Sequence, residues 1–404
     1  MSTSLLYHGF SICGYQFQRC LFTHGSIVFK IRQRRVDLRC PRCGSHRLKL
    51  KGAFSRVLRT TPIGLKPVFI EFAIPRAACQ DCKCIRQVHV AFADARRSYT
   101  RHFERYVLAL SRHMTIRDVA QLLGVGWDLV KAIQKRYLTK RYQQPKLGNL
   151  RRIAIDEIAI GRGHRYLTIV LDLISGAVVF VGDGKGSEAL DPFWRRLKRS
   201  KAAIEAAAID MSPSYIRAVS DHLPKATLVF DHFHIIKLYN DGLSDLRRRL
   251  HRETQDETQQ KVLKGTRWLL LKGAERLNPD KDEADRLKQA LKINEPLATA
   301  YYLKEDLRVL WQQPDKRRAA MFLKGWIKRA KAANISFLKR ISRTFEKLRE
   351  GILAYYDYRI TNGPLEGTNN KIKTLQRQAY GFRDMDFFKL KIYALHLSRY
   401  ALVG

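Results

Sequence analysis

Three acidic residues stand where metal-dependent chemistry on a phosphodiester would need them. Asp156 ends the apolar run Ile153-Ala154-Ile155, and Asp210 ends Ala206-Ala207-Ala208-Ile209. Short apolar runs of this kind read as buried strands. If the two strands are neighbours, the carboxylates face each other and repel unless cations lie between them. Oxygen-only ligands suit Mg²⁺ or Mn²⁺. Two such ions about 3.5–4 Å apart clamp the attacking and leaving oxygens of an in-line phosphoryl displacement. A third carboxylate is expected from a helix. In Thr361-Asn362-Gly363-Pro364-Leu365-Glu366, Asn362 or Gly363 can cap and Pro364 can open a helix, with Glu366 in its first turn. Lys371, Lys373 and Arg377 follow, placed to hold phosphates. Asp231 also ends an apolar run, Thr227 to Phe230, and is a rival for Asp210. A lone Asp at a strand end is more often a cap or a solvated charge; the pairing of Asp156 with Asp210 argues for more.

The elements around these acids give the fold class. Tyr166 to Asp172 reads as a second strand, Gly176 as a turn, and Ala177 to Val181 as a third strand. Ser187 can cap a helix whose Leu190, Phe193, Trp194 and Leu197 fall at i, i+3, i+4 and i+7. Ser212-Pro213 opens another helix before the run that ends at Asp231. The order β-β-β-α-β-α-β is that of an RNase H-like core, in which the first and fourth strands lie side by side. From about Asn240 to Tyr356 the chain is helical in pattern, with Trp268, Trp311 and Trp326 as large anchors. Arg247-Arg248-Arg249 and Lys316-Arg317-Arg318 in this stretch either track DNA backbone or form solvated faces.

The cysteines are grouped. Cys40-x-x-Cys43 and Cys79-x-x-Cys82 are two knuckles, and together they can complete a tetrahedral, structural Zn²⁺ site. Val68, Ile70, Phe72 and Ile74 alternate in a strand pattern between them, after a turn at Thr61-Pro62-Ile63-Gly64. This is a zinc ribbon with an unusually long spacer. Cys84 is an alternative to Cys82 as fourth ligand; Cys13 and Cys20 read as core thiols.

Residues 100 to 142 have helical spacing. Thr115 can cap one helix with Asp118 three residues on, Gly124 ends it, and Leu129, Val130 and Ile133 anchor the next. That is a helix-turn-helix, with Lys131, Gln134 and Lys135 expected to face DNA. Composition agrees: 76 Lys+Arg against 37 Asp+Glu leave a formal charge of +39 on 404 residues, best explained by a polyanionic partner. No apolar run reaches the ~18 residues of a membrane span, and the first ten residues lack a signal-peptide pattern, so a cytoplasmic location is expected.

The order of ribbon, helix-turn-helix, Ile155-Asp156-Glu157, Ile209-Asp210-Met211-Ser212-x-x-Tyr215, Leu223-Pro224-x-Ala226, Phe230-Asp231-His232-Phe233-His234 and Thr361-Asn362-Gly363-x-x-Glu366-Gly367-x-Asn369-Asn370-x-Ile372-Lys373 resembles the ISL3 family of bacterial insertion-sequence transposases. The resemblance implies a multidomain α+β protein and a DDE catalytic core. It makes Asp156, Asp210 and Glu366 the acids for two Mg²⁺ or Mn²⁺ ions, with Asp231 and His234 supporting them. The implied domains are a zinc-ribbon DNA-binding domain (1–98), a helix-turn-helix (99–148), the first part of the RNase H-like core (149–239), a helical insertion (240–356), and C-terminal helices carrying Glu366 (357–404). The implied activity is binding of terminal inverted repeats, cleavage at the element's end and strand transfer into target DNA, by a homodimer or larger assembly in the bacterial cytoplasm, associated with the nucleoid when bound. A DNA-binding regulator derived from a transposase and a structure-specific nuclease are the rivals.

Overall fold

The computed structural model describes residues 4–161 and 163–397. It falls into two compact units: 1–144 with 374–404, and 145–373.

The first unit opens with α1 (Leu5–Phe10) and a five-stranded sheet: β1 (Tyr15–Thr23), β2 (Ser26–Gln33), β3 (Leu48–Ile63), β4 (Lys66–Cys79) and β5 (Ile85–Gln87), in the order β1-β2-β4-β3 with β5 beside β4. The alternating Val68, Ile70, Phe72 and Ile74 of β4 are buried, as period-two spacing requires. β3 and β4 form one long hairpin, turned at Gly64 with φ +58°. Its open end pairs Leu48 with Cys79. A long spacer between the two cysteine pairs therefore costs no separation in space. β1 and β2 lie outside the sequence reading. So does the length of β3, whose first half is exposed and basic.

Three helices follow: α2 (Arg101–Leu110), α3 (Ile116–Leu123) and α4 (Trp127–Tyr142). Thr115 caps α3 through its hydroxyl, which accepts from the Asp118 amide at 3.1 Å, while Asp118 accepts from the Thr115 amide at 3.3 Å. Gly124 closes α3 with φ +60°, which glycine adopts without strain. Phe103, Val107, Val119, Leu123, Val130 and Ile133 form the core of the three helices.

The second unit is built on β6 (Arg152–Gly161), β7 (Arg165–Asp172) and β8 (Val178–Asp183), then α5 (Asp191–Lys198), β9 (Ala206–Ile209), α6 (Pro213–His222) and β10 (Thr227–Phe230). The sheet order is β10-β9-β6-β7-β8, with β6, β7 and β8 antiparallel and β9 parallel to both β6 and β10. The first and fourth strands of this core are thus neighbours, the RNase H-like order. α5 is preceded by a 3₁₀ turn at Ser187–Leu190, and Leu190, Phe193, Trp194 and Leu197 are all buried.

The helical stretch begins with α7 (His232–Glu253), which passes residue 240 unbroken, so no element boundary falls at that expected domain edge. After it come α8 (Glu257–Gly265), α9 (Arg267–Leu271), α10 (Glu283–Ile293), α11 (Glu295–Val309), α12 (Lys316–Ala332), α13 (Ser336–Lys347), α14 (Arg349–Leu353) and α15 (Tyr355–Tyr358). Trp326 is a buried anchor whose indole donates to the Leu303 carbonyl at 2.8 Å. Trp268 is not: it is 65% exposed, with the Arg267 guanidinium stacked over it. α16 (Gly363–Gln378) carries Glu366, and the division between units falls within it. α17 (Met385–Ala394) falls in the first unit, where Phe387 and Leu390 cluster with Leu138 of α4.

Gly351 of α14 lies against the Phe230 ring at the end of β10, and a Cβ there would overlap the ring. Helix propensity alone would make Gly351→Ala stabilising by about 1 kcal/mol. The overlap should reverse the sign and cost about 1–3 kcal/mol. A lowered urea midpoint is expected, and a raised one would contradict the packing described.

Candidate functional site

The acids of the second unit are aligned by strand register. β6 and β9 pair Ala154 with Ala208, so two residues on, Asp156 stands level with Asp210. β9 and β10 pair Ile209 with Phe230, so the next residues, Asp210 and Asp231, are level as well. Three aspartates thus form a row across three adjacent parallel strands: Asp210 and Asp231 directly follow β9 and β10, while Asp156, expected at a strand end, lies in the middle of β6. Residues in register on such strands share a face.

Each acid is held differently. Asp156 accepts from the Glu157 amide at 2.8 Å and from the Asn369 side-chain amide at 2.9 Å. Burial raises the Asp156 pKa above the ordinary carboxylate value; the Glu157 amide opposes this, and the charges of Asp210 and Glu157 add to the rise. Asp210 accepts from the Ser212 amide at 3.0 Å. Asp231 is buried and accepts from the Asn362 amide at 3.2 Å, with the His234 imidazole 3.3 Å away. Burial works against ionisation of Asp231, but His234, the Asn362 amide and His232 outweigh it and hold the carboxyl below its ordinary value. The contact with Asp231 raises the His234 pKa; burial opposes, and the charges of Asp156, Asp231 and Asp210 reinforce it. The direct contact of His234 in the row is with Asp231.

Glu366 is exposed in the first turn of α16, where its amide donates to the Asn362 carbonyl at 2.8 Å. Asn369, one turn later and on the same helix face, is the residue that reaches Asp156. Glu366 itself does not close on the two aspartates. Among the described residues, the one group of three or more acids, histidines or cysteines with ligand atoms all within 4.8 Å is the cysteine set. Asn369 is a contact that residue type alone did not reveal. Its Oδ1, like both side-chain polar atoms of Asn362, is buried without a hydrogen-bond partner. The donors around Asp156 and Asp210 are thus hard oxygens with capacity to spare, a set that fits Mg²⁺ or Mn²⁺. Glu157, beside Asp156 on the strand, accepts from the buried Tyr215 hydroxyl at 3.2 Å. Lys371, Lys373 and Arg377 are all exposed along α16.

In the first unit, the sulfurs of Cys40, Cys43, Cys79 and Cys82 lie within 4.8 Å of one another. Cys40 and Cys82 are 3.6 Å apart, and Cys43 and Cys79 are 3.5 Å apart. Tetrahedral zinc with Zn–S ≈ 2.3 Å needs sulfurs about 3.8 Å apart, so the set fits a closed, structural zinc site. The amides of Cys43 and Arg42 pull the Cys40 thiol down to about 6, and the Cys84 amide lowers Cys82. Cys84 lies 3.2 Å from Cys82 and 3.6 Å from Cys40, but the four sulfurs that all lie within 4.8 Å of one another are those of Cys40, Cys43, Cys79 and Cys82. Cys13, read as a core thiol, is exposed.

The expected DNA-reading face of α4 needs correction. Gln134 is 4% exposed. Lys131 and Lys135 are both paired with Asp384, at 3.1 and 2.9 Å. The cause is α17: Asp384 caps it by accepting from the Phe387 amide at 3.0 Å, and the helix covers this side of α4. Trp127 and Arg141 remain exposed on α4.

Family comparisons agree with this architecture. A transposase model matches residues 153–392, a helix-turn-helix domain of transposase family ISL3 matches residues 88–138, and a zinc-finger of transposases IS204/IS1001/IS1096/IS1165 matches residues 38–82. The chain is 31% identical over 360 residues to the transposase for insertion sequence element IS1001 of Bordetella parapertussis, covering 88% of each. It is 29% identical over 383 residues to the transposase for IS1557 of Mycobacterium tuberculosis, covering 88% of this chain and 85% of the relative. A chain of the Drosophila P element transposase strand transfer complex is more distantly similar, with a TM-score of 0.41 and 12% identity over 76% of this chain and 94% of that one. The family match defines a DNA-binding polynucleotidyl transferase, a DNA transposase. The chain belongs to the ISL3 family of these enzymes.

Cys43→Ser should lose about one equivalent of zinc by metal analysis and expose the base of the β3–β4 hairpin to hydrogen exchange. Unchanged zinc content with unchanged protection would contradict the ribbon assignment.

Proposed function

We propose that this transposase binds the terminal inverted repeats of its element, cleaves the DNA at the ends and transfers the freed strand into a target, with Asp156, Asp210 and Glu366 as the ion-holding acids. The observation that carries this reading is the shared register of Asp156 and Asp210 on neighbouring parallel strands, with the Glu366 helix tied to Asp156 through Asn369. Divalent ions bound there supply activation of the attacking oxygen and stabilisation of the leaving one.

The chain's own groups do the positioning. Asp156 and Asp210 carry like charges on one sheet face, and cations between them relieve the repulsion. Asn369 orients Asp156 and places α16 so that Glu366, one turn earlier, approaches from the helix side. Asp231 anchors the start of α16 through the Asn362 amide and holds His234 beside the acids. His234 then contributes positive charge that offsets part of the repulsion. Lys371, Lys373 and Arg377 are placed along α16 to meet phosphates near the cut. Base contacts come from the helix-turn-helix, and for Lys131 and Lys135 to join them, their pairing with Asp384 must yield. Transposition joins two ends, so a dimer or larger assembly is the working form. No helix among the described residues is long and apolar enough to cross a membrane, which is compatible with action in the cytoplasm.

The test uses zinc-loaded protein with duplex DNA carrying the element's ends, in Mg²⁺ and in Mn²⁺. Asp156→Ala and Glu366→Ala should each lose cleavage by more than the ~10–100-fold typical of an outer partner of a metal site, with end binding retained. Asn369→Ala should fall within that ~10–100-fold range. Tight end binding without cleavage by the wild type in either metal would favour a regulator. Cleavage without strand-transfer products would favour a nuclease.

A further inference from the structure

The second unit carries a basic cleft between α7 and α8, apart from the acid row. Its volume is about 610 Å³. Arg247, Arg248 and Arg252 line one wall, and Lys261 and Lys264 line the other. Arg248 and Arg252 are four residues apart, and Lys261 and Lys264 three apart, so each pair occupies one helix face. The acids here are few. Glu257 is in the lining, and Asp245 pairs with Arg248.

The cleft is more than a solvated face. The Arg247 guanidinium is partly buried, donates to the Leu263 carbonyl at 3.0 Å, and keeps a buried Nε with no partner. Burial lowers its pKa, and the positive charges of Arg267 and Arg248 lower it further. A group under that like-charge stress is stabilised by any anion entering the cleft.

We infer that this cleft grips the phosphodiester backbone of duplex DNA near the cleavage point, through Arg247, Arg252, Lys261 and Lys264. The inference rests on the reading that the chain acts on DNA ends. α7 supports it geometrically. The helix starts at His232, directly after Asp231, and runs unbroken to Glu253. At ~1.5 Å per residue, Arg247 and Arg252 lie about 24–32 Å along the helix from the acid row. Duplex DNA advances ~3.4 Å per base pair, so on a duplex lying along α7 the grip falls about seven to nine base pairs from the cut. Contacts there carry no sequence information and set the register of the duplex over the acids.

The experiment compares wild type with Lys261→Gln/Lys264→Gln and with Lys261→Arg/Lys264→Arg, which keeps the charge. Binding is measured against salt on two end duplexes. One extends about 15 base pairs on both sides of the cleavage point; the other stops about five base pairs from it on both sides. These lysines are exposed, so folding is checked by circular dichroism alone. On the long duplex, the Gln variant should bind about 10-fold more weakly, with a salt slope smaller by about 1–2, and the Arg variant should match wild type. On the short duplex, the three proteins should bind alike. Equal affinity and slope for the Gln variant and wild type on the long duplex would overturn the inference. So would an equal loss on both duplexes, which would place the contact elsewhere. Binding is read without cleavage, so a failure of catalysis by the wild type would count against the proposed function and leave this comparison intact.

Discussion

Like charges forced into register are the constraint around which the catalytic unit is arranged. Three adjacent parallel strands bring three aspartates level: Asp156 within β6, and Asp210 and Asp231 just past the ends of β9 and β10. Left alone, such a row is costly. Its members are resolved in different ways. Asp231 is satisfied by protein groups, His234 and the Asn362 amide, and stays readily ionised. Asp156 is half-buried, accepts from the Glu157 and Asn369 amides, and is pushed toward its neutral form. On the proposed reading, the charge left to divalent ions is that of Asp156 and Asp210. On that reading, Asp231 is the supporting end of the row and Asp210 the ion ligand.

The same logic of long-range closure explains the first unit. The two cysteine pairs are distant in sequence, but β3 and β4 fold back on each other and pair Leu48 with Cys79. The hairpin returns the chain to its starting point, and the thiols meet there. On α4, Asp384 takes two lysines that would otherwise be open to phosphate. A carboxylate in that position occupies the lysines as a phosphate oxygen would.

Much of this was legible in local pattern. Short apolar runs ending in acids located Asp156, Asp210 and Asp231, and the element order was enough to make the first and fourth strands neighbours. Thr115, Asp118 and Gly124 marked the ends of α3 because capping is a local interaction. Part of what escaped depends on distant partners. Asn369 reaches Asp156 across 213 residues, and Lys135 reaches Asp384 across 249. No periodicity encodes either. Gln134 was expected outside because polar residues usually are, yet it is buried. Trp268 was expected inside because of its apolar ring, yet Arg267 stacks on it at the surface. The first half of β3 was missed because its exposed basic residues mask the alternation that marks a half-buried strand.

The central claim is that Asp156 and Asp210 share ions. Its most direct test is Mn²⁺ binding, followed by electron paramagnetic resonance, to zinc-loaded protein on end DNA. Wild type is compared with Asp156→Asn, Asp210→Asn and the double variant. Shared ions predict that either single substitution removes the same bound-Mn²⁺ signal and that the double variant loses no more than either alone. Losses that are separate and additive, or a signal untouched by both substitutions, would contradict the account.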